Sequence, residues 1–297
     1  MKKRRITELL FKTIAYAAGA TTVLVLIGIL GKITLEAIPS LSWYFLLTPE
    51  SQTTGFGGGI ANAVVGTVLL SVFSTLLAAP IAVGTAIYLK KYAKDGYFVK
   101  GFGFIIDVLS GTPSIVVGIF GLLILVYHMR FITGGFSLLS GSIALAILIL
   151  PVIERAAEKA LEGVPFELEE ASYALGAKKW DTLRLITLPY ALTGIITGIV
   201  LSIGRAAEES AVVILTAGYT QFLPELKVLP NESFLYGVKI YPFQDLVAAL
   251  PITVYHAFLF PALVPPSEGF AAAFVLIVIV MLINATTRLL TWKRRIG

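Results

Sequence analysis

The chain has 297 residues, 57% of them hydrophobic and only 14% charged, with a mean hydropathy of +0.88, which is the composition of an integral membrane protein rather than a water-soluble enzyme. It contains no cysteine, so disulfides and thiolate metal sites are excluded. The net charge of +5 does not point to nucleic acid: the basic residues sit in short segments beside apolar runs, where they set membrane orientation.

Six spans are predicted, at 13–33, 61–89, 103–127, 137–157, 190–217 and 270–290, each long enough to cross a bilayer. With the N-terminus inside, 18 of the 23 Lys and Arg fall on the inner side. They include Lys2, Lys3, Arg4, Arg5 and Lys12, then Lys90, Lys91, Lys94 and Lys100, Arg155 and Lys159, Lys178, Lys179 and Arg184, and finally Arg288 and Lys293–Arg295. This asymmetry predicts a multi-pass membrane protein with both termini cytoplasmic. The expected fold class is therefore all-α and polytopic, with about six transmembrane helices.

The basic start and apolar run of residues 1–33 suit an uncleaved first helix, because no small-residue cleavage site follows cleanly. Gly31-Lys32 is not a nucleotide loop, since Leu26 and Ile33 stand where glycine and Ser or Thr are required. No such loop occurs elsewhere, so ATP-driven work needs another chain. The outer loop 34–59 ends in Gly55-Phe56-Gly57-Gly58-Gly59, read as a flexible entry to the next helix rather than a phosphate cradle. Pro80 and Gly84 are expected to kink the second span, and Tyr88, Tyr92, Tyr97 and Phe98 lie at interface depth.

The third span carries Asp107 and then Ser110-Gly111-Thr112-Pro113-Ser114. Pro113 removes a helix hydrogen bond and Gly111 leaves backbone accessible, so a broken helix lined by Ser110, Thr112 and Ser114 is a candidate polar path. A kink for packing is the plain alternative, because Ser, Thr and Gly are also helix-interface residues. Asp107 is a capping or snorkelling residue or a functional one. The fourth span ends Leu150-Pro151-Val152-Ile153-Glu154-Arg155-Ala156-Ala157-Glu158-Lys159, where Arg155 pairs with Glu154 or Glu158 or lines the inner mouth.

Glu167 to Pro189 is a charged island between apolar segments. Leu168, Ala171, Tyr173, Ala174 and Leu175 have helical spacing. Gly176 ends that helix with positive φ. A second short helix carries Trp180, Leu183 and Ile186, and Pro189 opens the next element. An interfacial linker is the plain reading of such a knuckle. The spacing is sharper than that. Glu170-Ala171-Ser172, three residues, Gly176, nine residues, Ile186, one residue and Leu188-Pro189 resembles the EAA loop of the ABC importer permeases. The likeness spans roughly Gly57 to Arg295. It is most similar to the phosphate transport system permeases, A-type, through Gly59–Thr67, Ser110–Phe120 and the Leu150-Pro151 run. The resemblance implies a first unit, 1–56, of one helix and its outer loop, and a permease core, 57–297. It implies a coupling knuckle in which Glu170, Ala171, Gly176, Leu188 and Pro189 dock a cytoplasmic ATPase. It also implies a second related permease, an ATPase dimer and an extracytoplasmic phosphate-binding protein as partners, and inorganic phosphate as cargo. No cofactor and no metal are called for.

In the fifth span Gly194, Gly198, Ser202 and Gly204 favour a close helix contact, with a second permease as one candidate. Arg205 lies three and four residues before Glu208 and Glu209, so the three can share a face. Ionisable residues inside a span cost about 2.5–3.5 kcal/mol each on insertion scales and mark pathways, which makes Arg205 and Glu209 candidate path residues. The family pattern is Arg, two residues, Gly-Glu-Thr; Glu208 and Ser210 depart from it and Arg205 and Glu209 match. Sulfate, molybdate or another oxyanion is the sibling reading. A gradient-driven transporter using Arg205, Glu208 and Glu209 as a proton relay is the reading from a different class, and a non-transporting scaffold the third. Residues 218–268 hold seven of the fourteen prolines and form a long outer segment suited to meeting a solute-binding protein. His128 and His256 lack metal-ligand spacing and receive no chemistry. Trp292-Lys293-Arg294-Arg295 is an interfacial anchor.

Overall fold

The computed structural model describes residues 2–53, 57–94, 96–232, 234 and 237–294, with side chains described between residues 8 and 286. Arg295 and the side chains of Trp292, Lys293 and Arg294 in the terminal anchor, with those of Lys2–Arg5 and Arg288, lie outside that set, as does the Gly55-Phe56 part of the glycine cluster.

Long apolar helices dominate. They are α1 (Lys2–Ala37), α3 (Ala61–Ile87), α7 (Leu138–Glu162), α10 (Leu188–Ala207) and α13 (Pro266–Arg294). Shorter helices fill the connections: α2 (Trp43–Leu47), α4 (Tyr97–Gly111), α5 (Ser114–Gly121), α6 (Arg130–Thr133), α8 (Phe166–Ala174), α9 (Lys179–Thr182), α11 (Ala211–Thr216) and α12 (Leu250–Leu259). Among the described residues five helical stretches are long and apolar enough to cross a membrane, and a sixth is counted if α4 and the bent-off stretch Ser114–His128, which α5 begins, are one span. One antiparallel hairpin is added to the expected helical class, β1 (Lys227–Pro230) and β2 (Val238–Tyr241), with Val228 opposite Ile240.

Small residues decide the packing. Ala78, Ala82 and Ala86 on α3 and Ala146 and Ala157 on α7 are almost fully buried, which lets these two helices approach closely. α10 lies against both. The Gly194/Gly198 pair is spent inside the chain, not on a partner. A Cβ at Gly194 would lie 2.6 Å from the Cβ of Ala160, and one at Gly198 would collide with Ala156, both on α7. α13 packs on α10, α12 and α1.

Two expected spans are broken. The span over 103–127, expected to break at Pro113, bends there by 98° between α4 and α5. Pro113 has no N–H to continue the ladder and Thr112 takes extended backbone angles, its hydroxyl donating back to Val108 O at 2.7 Å. The span expected to run to 217 stops at Ala207. There the carboxylate of Glu209 accepts the N–H of Ala211 at 3.1 Å, starting the separate helix α11. In the other direction the helix is longer than expected. α9 runs through a π-helical turn, Leu183–Thr187, straight into α10, so the second half of the knuckle and the fifth span form one rod, Lys179–Ala207.

The molecule has two ends. At one, the π-helical turn Tyr88–Tyr92 that finishes α3 meets the end of α7, α8 and α9; this is the knuckle end. At the other, the loop after α2, the hairpin and the segment leading into α12 interlock. Leu138 N–H donates to Asp245 O at 2.9 Å, Ser137 N–H to Thr216 O at 3.1 Å, and Leu250 N–H to the Thr67 hydroxyl at 2.8 Å.

Candidate functional site: the coupling knuckle and the broken helices

α8 begins after Pro165 with Glu167 in its first turn, where a carboxylate favours the helix dipole. It ends at Gly176, whose φ of +86° is the left-handed value that L side chains avoid. The chain turns there and enters α9. The expected apolar face is present and points outward. Leu168, Tyr173, Trp180 and Leu185 are exposed and Leu175 is 90% exposed, whereas Leu183 is buried under the knuckle. Glu170, Ala171 and Gly176 lie on the same open surface, with no atom within 4 Å of a Cβ placed at Gly176. Pro189 is also exposed, and Leu188 is half-buried beside Ala191 at the start of α10. These apolar side chains are therefore not part of any core of this chain.

The motif passes over a residue that the structure makes central. Glu169 is buried while its neighbour Glu170 is exposed. Its Oε1 accepts from Lys91 Nζ at 2.7 Å and from the Thr187 hydroxyl at 2.6 Å. Burial pushes its carboxyl up, but the bonds from Lys91 and Thr187 outweigh that and hold it below the usual carboxylate value. Ser172 and Thr182 are hydrogen-bonded at 2.9 Å between the two limbs of the knuckle, and Lys179 sits 5.0 Å over the Tyr92 ring.

A second ion-pair group lies behind the knuckle. Lys90 bridges Glu158 at 2.8 Å and Glu162 at 2.6 Å. Arg155 binds Glu158 and Asp107, each at 2.5 Å, and also donates to Gly103 O at 3.3 Å. Glu154 stays at 3.9 Å from the guanidinium, so Glu158 and Asp107 are the partners of Arg155. Asp107 is thus a tie between α4 and α7.

Arg205 belongs to a different group. It stands in the last turn of α10 rather than deep inside a longer span, 49% exposed, and pairs with the buried Glu209 at 3.4 Å. Glu208 caps α10 and is exposed. Ser110 is exposed at the end of α4, and Thr112 and Ser114 are half-exposed at the bend. The two breaks are close together: a Cβ at Gly118, one turn into α5, would be 3.0 Å from Ala211 O and 3.3 Å from Val212 Cα on α11. The break that carries Arg205 and Glu209 thus lies beside the helix that Ser114 begins, whereas Arg155 is held in the ion-pair group of Asp107 and Glu158.

The hairpin end holds a site the sequence did not suggest. Glu50, 4% exposed, accepts the N–H of Gly57 at 3.0 Å and the hydroxyl of Tyr219, while Glu268 accepts the N–H of Gly58 at 2.7 Å. His256 packs edge-on against Tyr219 at 4.6 Å between centroids, beside a largely apolar cavity of about 310 Å³.

Comparison with known proteins agrees with this geometry. Residues 79–291 match the family model of the binding-protein-dependent transport system inner membrane component. A phosphate transport system permease protein PstA of Yersinia pestis is 33% identical over 86% of this chain and 79% of its own. PstA 1 of Mycobacterium tuberculosis is 32% identical over 99% of this chain and 92% of its own. A solved bacterial ABC transporter that imports alginate shares the fold at a TM-score of 0.63, with 16% identity over 96% of this chain and 98% of that one. The chain belongs to the family of binding-protein-dependent transport system inner membrane components.

Proposed function

We propose that this chain is the permease subunit of an ATP-driven importer whose cargo is inorganic phosphate. The observation that carries the reading is the knuckle itself, an EAA-type loop whose apolar side chains face outward on a chain without a nucleotide loop of its own. The phosphate assignment rests on relatives named phosphate permeases at 32–33% identity over most of the chain. On this reading Glu170, Ala171, Gly176, Leu188 and Pro189 present the knuckle to a cytoplasmic ATPase dimer. A second related permease completes the membrane part, and an extracytoplasmic phosphate-binding protein delivers the anion to the hairpin end. Both termini are cytoplasmic by the distribution of Lys and Arg. Residues 1–56 form a peripheral unit around the core 57–297, in keeping with the packing of α1 on α13.

Arg205, Glu209, Ser110, Thr112 and Ser114 are the path residues of this proposal. An oxyanion crossing the break meets hydroxyls, the uncapped first turn of α5 and one guanidinium. Glu209 keeps Arg205 from holding the anion too tightly, which conduction requires. Arg155 is saturated by Asp107 and Glu158 and serves as an inner-mouth tie, not an anion ligand. The test is uptake of labelled phosphate by the reconstituted complex, with sulfate and molybdate as competitors. ATP-dependent uptake blocked only by phosphate is expected; preferential competition by another oxyanion reassigns the cargo. Arg205→Lys keeps the charge and loses the planar fork, so phosphate uptake should fall in an assembled complex. Full uptake by both Arg205→Lys and Arg205→Gln removes Arg205 from the path.

A further inference from the structure

We propose that Glu169, rather than the exposed Glu170 beside it, is the positioning residue that carries movement of the knuckle into the bilayer. The inference rests on the reading that an ATPase moves the knuckle. Three elements meet at this carboxylate. Glu169 lies on α8, Lys91 on the π-helical turn that ends α3, and Thr187 on the π-helical turn that leads into α10. One oxygen, Oε1, holds both donors, at 2.7 Å from Lys91 and 2.6 Å from Thr187. Neighbouring contacts strengthen the same joint: Ser172 with Thr182, and Lys179 over Tyr92.

The geometry gives this joint a mechanical meaning. α9 is continuous with α10, so the second limb of the knuckle already moves with one membrane helix. The first limb, α8, follows α7 through Gly163 and Pro165 and has no helical continuity with α3. The Glu169 carboxylate supplies that missing connection. A buried carboxylate that has given up water binds its remaining partners strongly, so the link resists shear between α8 and α3. Both donors sit on π-helical turns, which are local departures from the α ladder and commonly mark functional positions. The signal was hard to see in sequence because Glu169 is one of two adjacent glutamates and the motif selects the other.

The experiment uses the assembled complex in proteoliposomes and measures ATP turnover and cargo uptake separately. Glu169→Gln keeps size and removes charge; Thr187→Val and Lys91→Met remove one donor each. In Glu169→Gln we expect intact assembly, near-normal ATP turnover and uptake per ATP reduced about tenfold, within the range of ordinary coupling energies. The exchange Lys91→Glu with Glu169→Lys should recover most of that ratio. A cargo-independent readout separates this inference from the phosphate assignment. The chain has no cysteine, so spin labels go on Glu167→Cys and Lys94→Cys, both exposed positions. Their separation should stay narrow with and without ATP in the otherwise native protein and broaden on ATP binding in Glu169→Gln, whichever anion is carried. Native uptake per ATP in Glu169→Gln overturns the proposal. So does a parallel loss of assembly, turnover and uptake with an unchanged ratio in all three single variants, which is the signature of a stability residue. An unbroadened label distance in Glu169→Gln overturns it as well.

Discussion

The two ends of the molecule each bury a glutamate, and they do so differently. At the hairpin end Glu50 is satisfied by neutral donors, the Gly57 N–H and the Tyr219 hydroxyl, and the residues around it interlock through backbone hydrogen bonds. At the knuckle end Glu169 is satisfied by a lysine and a threonine on two other helices, and the surface beyond it is apolar and open. Neutral, fixed donors make a closed structural joint. A charge shared between separate helices makes a joint that, on the proposed reading, holds its distance while the helices around it move. The difference teaches that burial of a carboxylate is not one phenomenon: its donors tell whether it seals a fold or links moving parts.

The largest expected effect breaks the closed end. A Cβ at Gly66 on α3 would collide with the carbonyl of Ala248 and lie 2.5 Å from Val247 Cγ1. Overpacking costs about 1–3 kcal/mol against side chains and more against backbone, which cannot rotate away. Gly66→Val should therefore prevent stable folding, seen as loss of a cooperative melting transition in detergent. Gly84→Ala on the same helix, with nothing within 4 Å of the new methyl, should melt like the native protein. Equal behaviour of the two would show that the hairpin end is not tightly closed.

A smaller effect tests the donors of Glu50. Glu50→Leu leaves a buried hydroxyl and a backbone N–H without acceptors, at about 1–3 kcal/mol for each group. Tyr219→Phe should cost less. The double variant should be more stable than the sum of the two losses, because the pair shares one hydrogen bond. Additive losses in thermal melts would separate the two residues and remove the contrast with Glu169.

Gly176 sharpens the comparison from the other side. Its φ of +86° strains a β-branched residue by about 1–3 kcal/mol, but the surrounding space is open, so the effect stays local. Gly176→Val should lower the melt by no more than that strain and weaken co-purification with the ATPase. Gly176→Asn, which tolerates left-handed backbone, should retain it. A Gly176→Val protein that binds the ATPase normally would show that the angle of the knuckle does not matter.

Much of the knuckle was legible in the sequence. Gly176 has the positive φ its spacing required, and Pro113 breaks the third span where the missing N–H demands it. What hydropathy does not carry is direction. Leu168, Ala171 and Leu175 have the spacing of a core face yet point outward, because an apolar face waiting for a partner and one packed on a core share the same periodicity. The stop at Ala207 was illegible for a related reason. No Gly or Pro marks it, and the break depends on Glu209 capturing one backbone N–H. The pairing of Gly194 and Gly198 with α7 and the contacts of Glu50 with Tyr219 depend on tertiary neighbours that a local pattern does not name.

The smallest expected effect is a pH dependence. Burial pushes Glu169 up, but the bonds from Lys91 and Thr187 hold its folded value below the ordinary 4.5. A carboxylate lowered on folding stabilises above its unfolded value and loses that contribution as pH falls through its folded value. The melting difference between the native protein and Glu169→Gln should therefore be flat from about pH 8 down to about 5.5 and shrink only below about 4.5. Salt should weaken it little, because the pair is largely shielded from solvent. A difference that instead changes between about pH 6 and 8 would mean that a group titrating near neutrality controls the joint. That would replace the picture of a permanently ionised link with one gated by protons, and the knuckle end would then differ from the hairpin end in chemistry as well as in its donors.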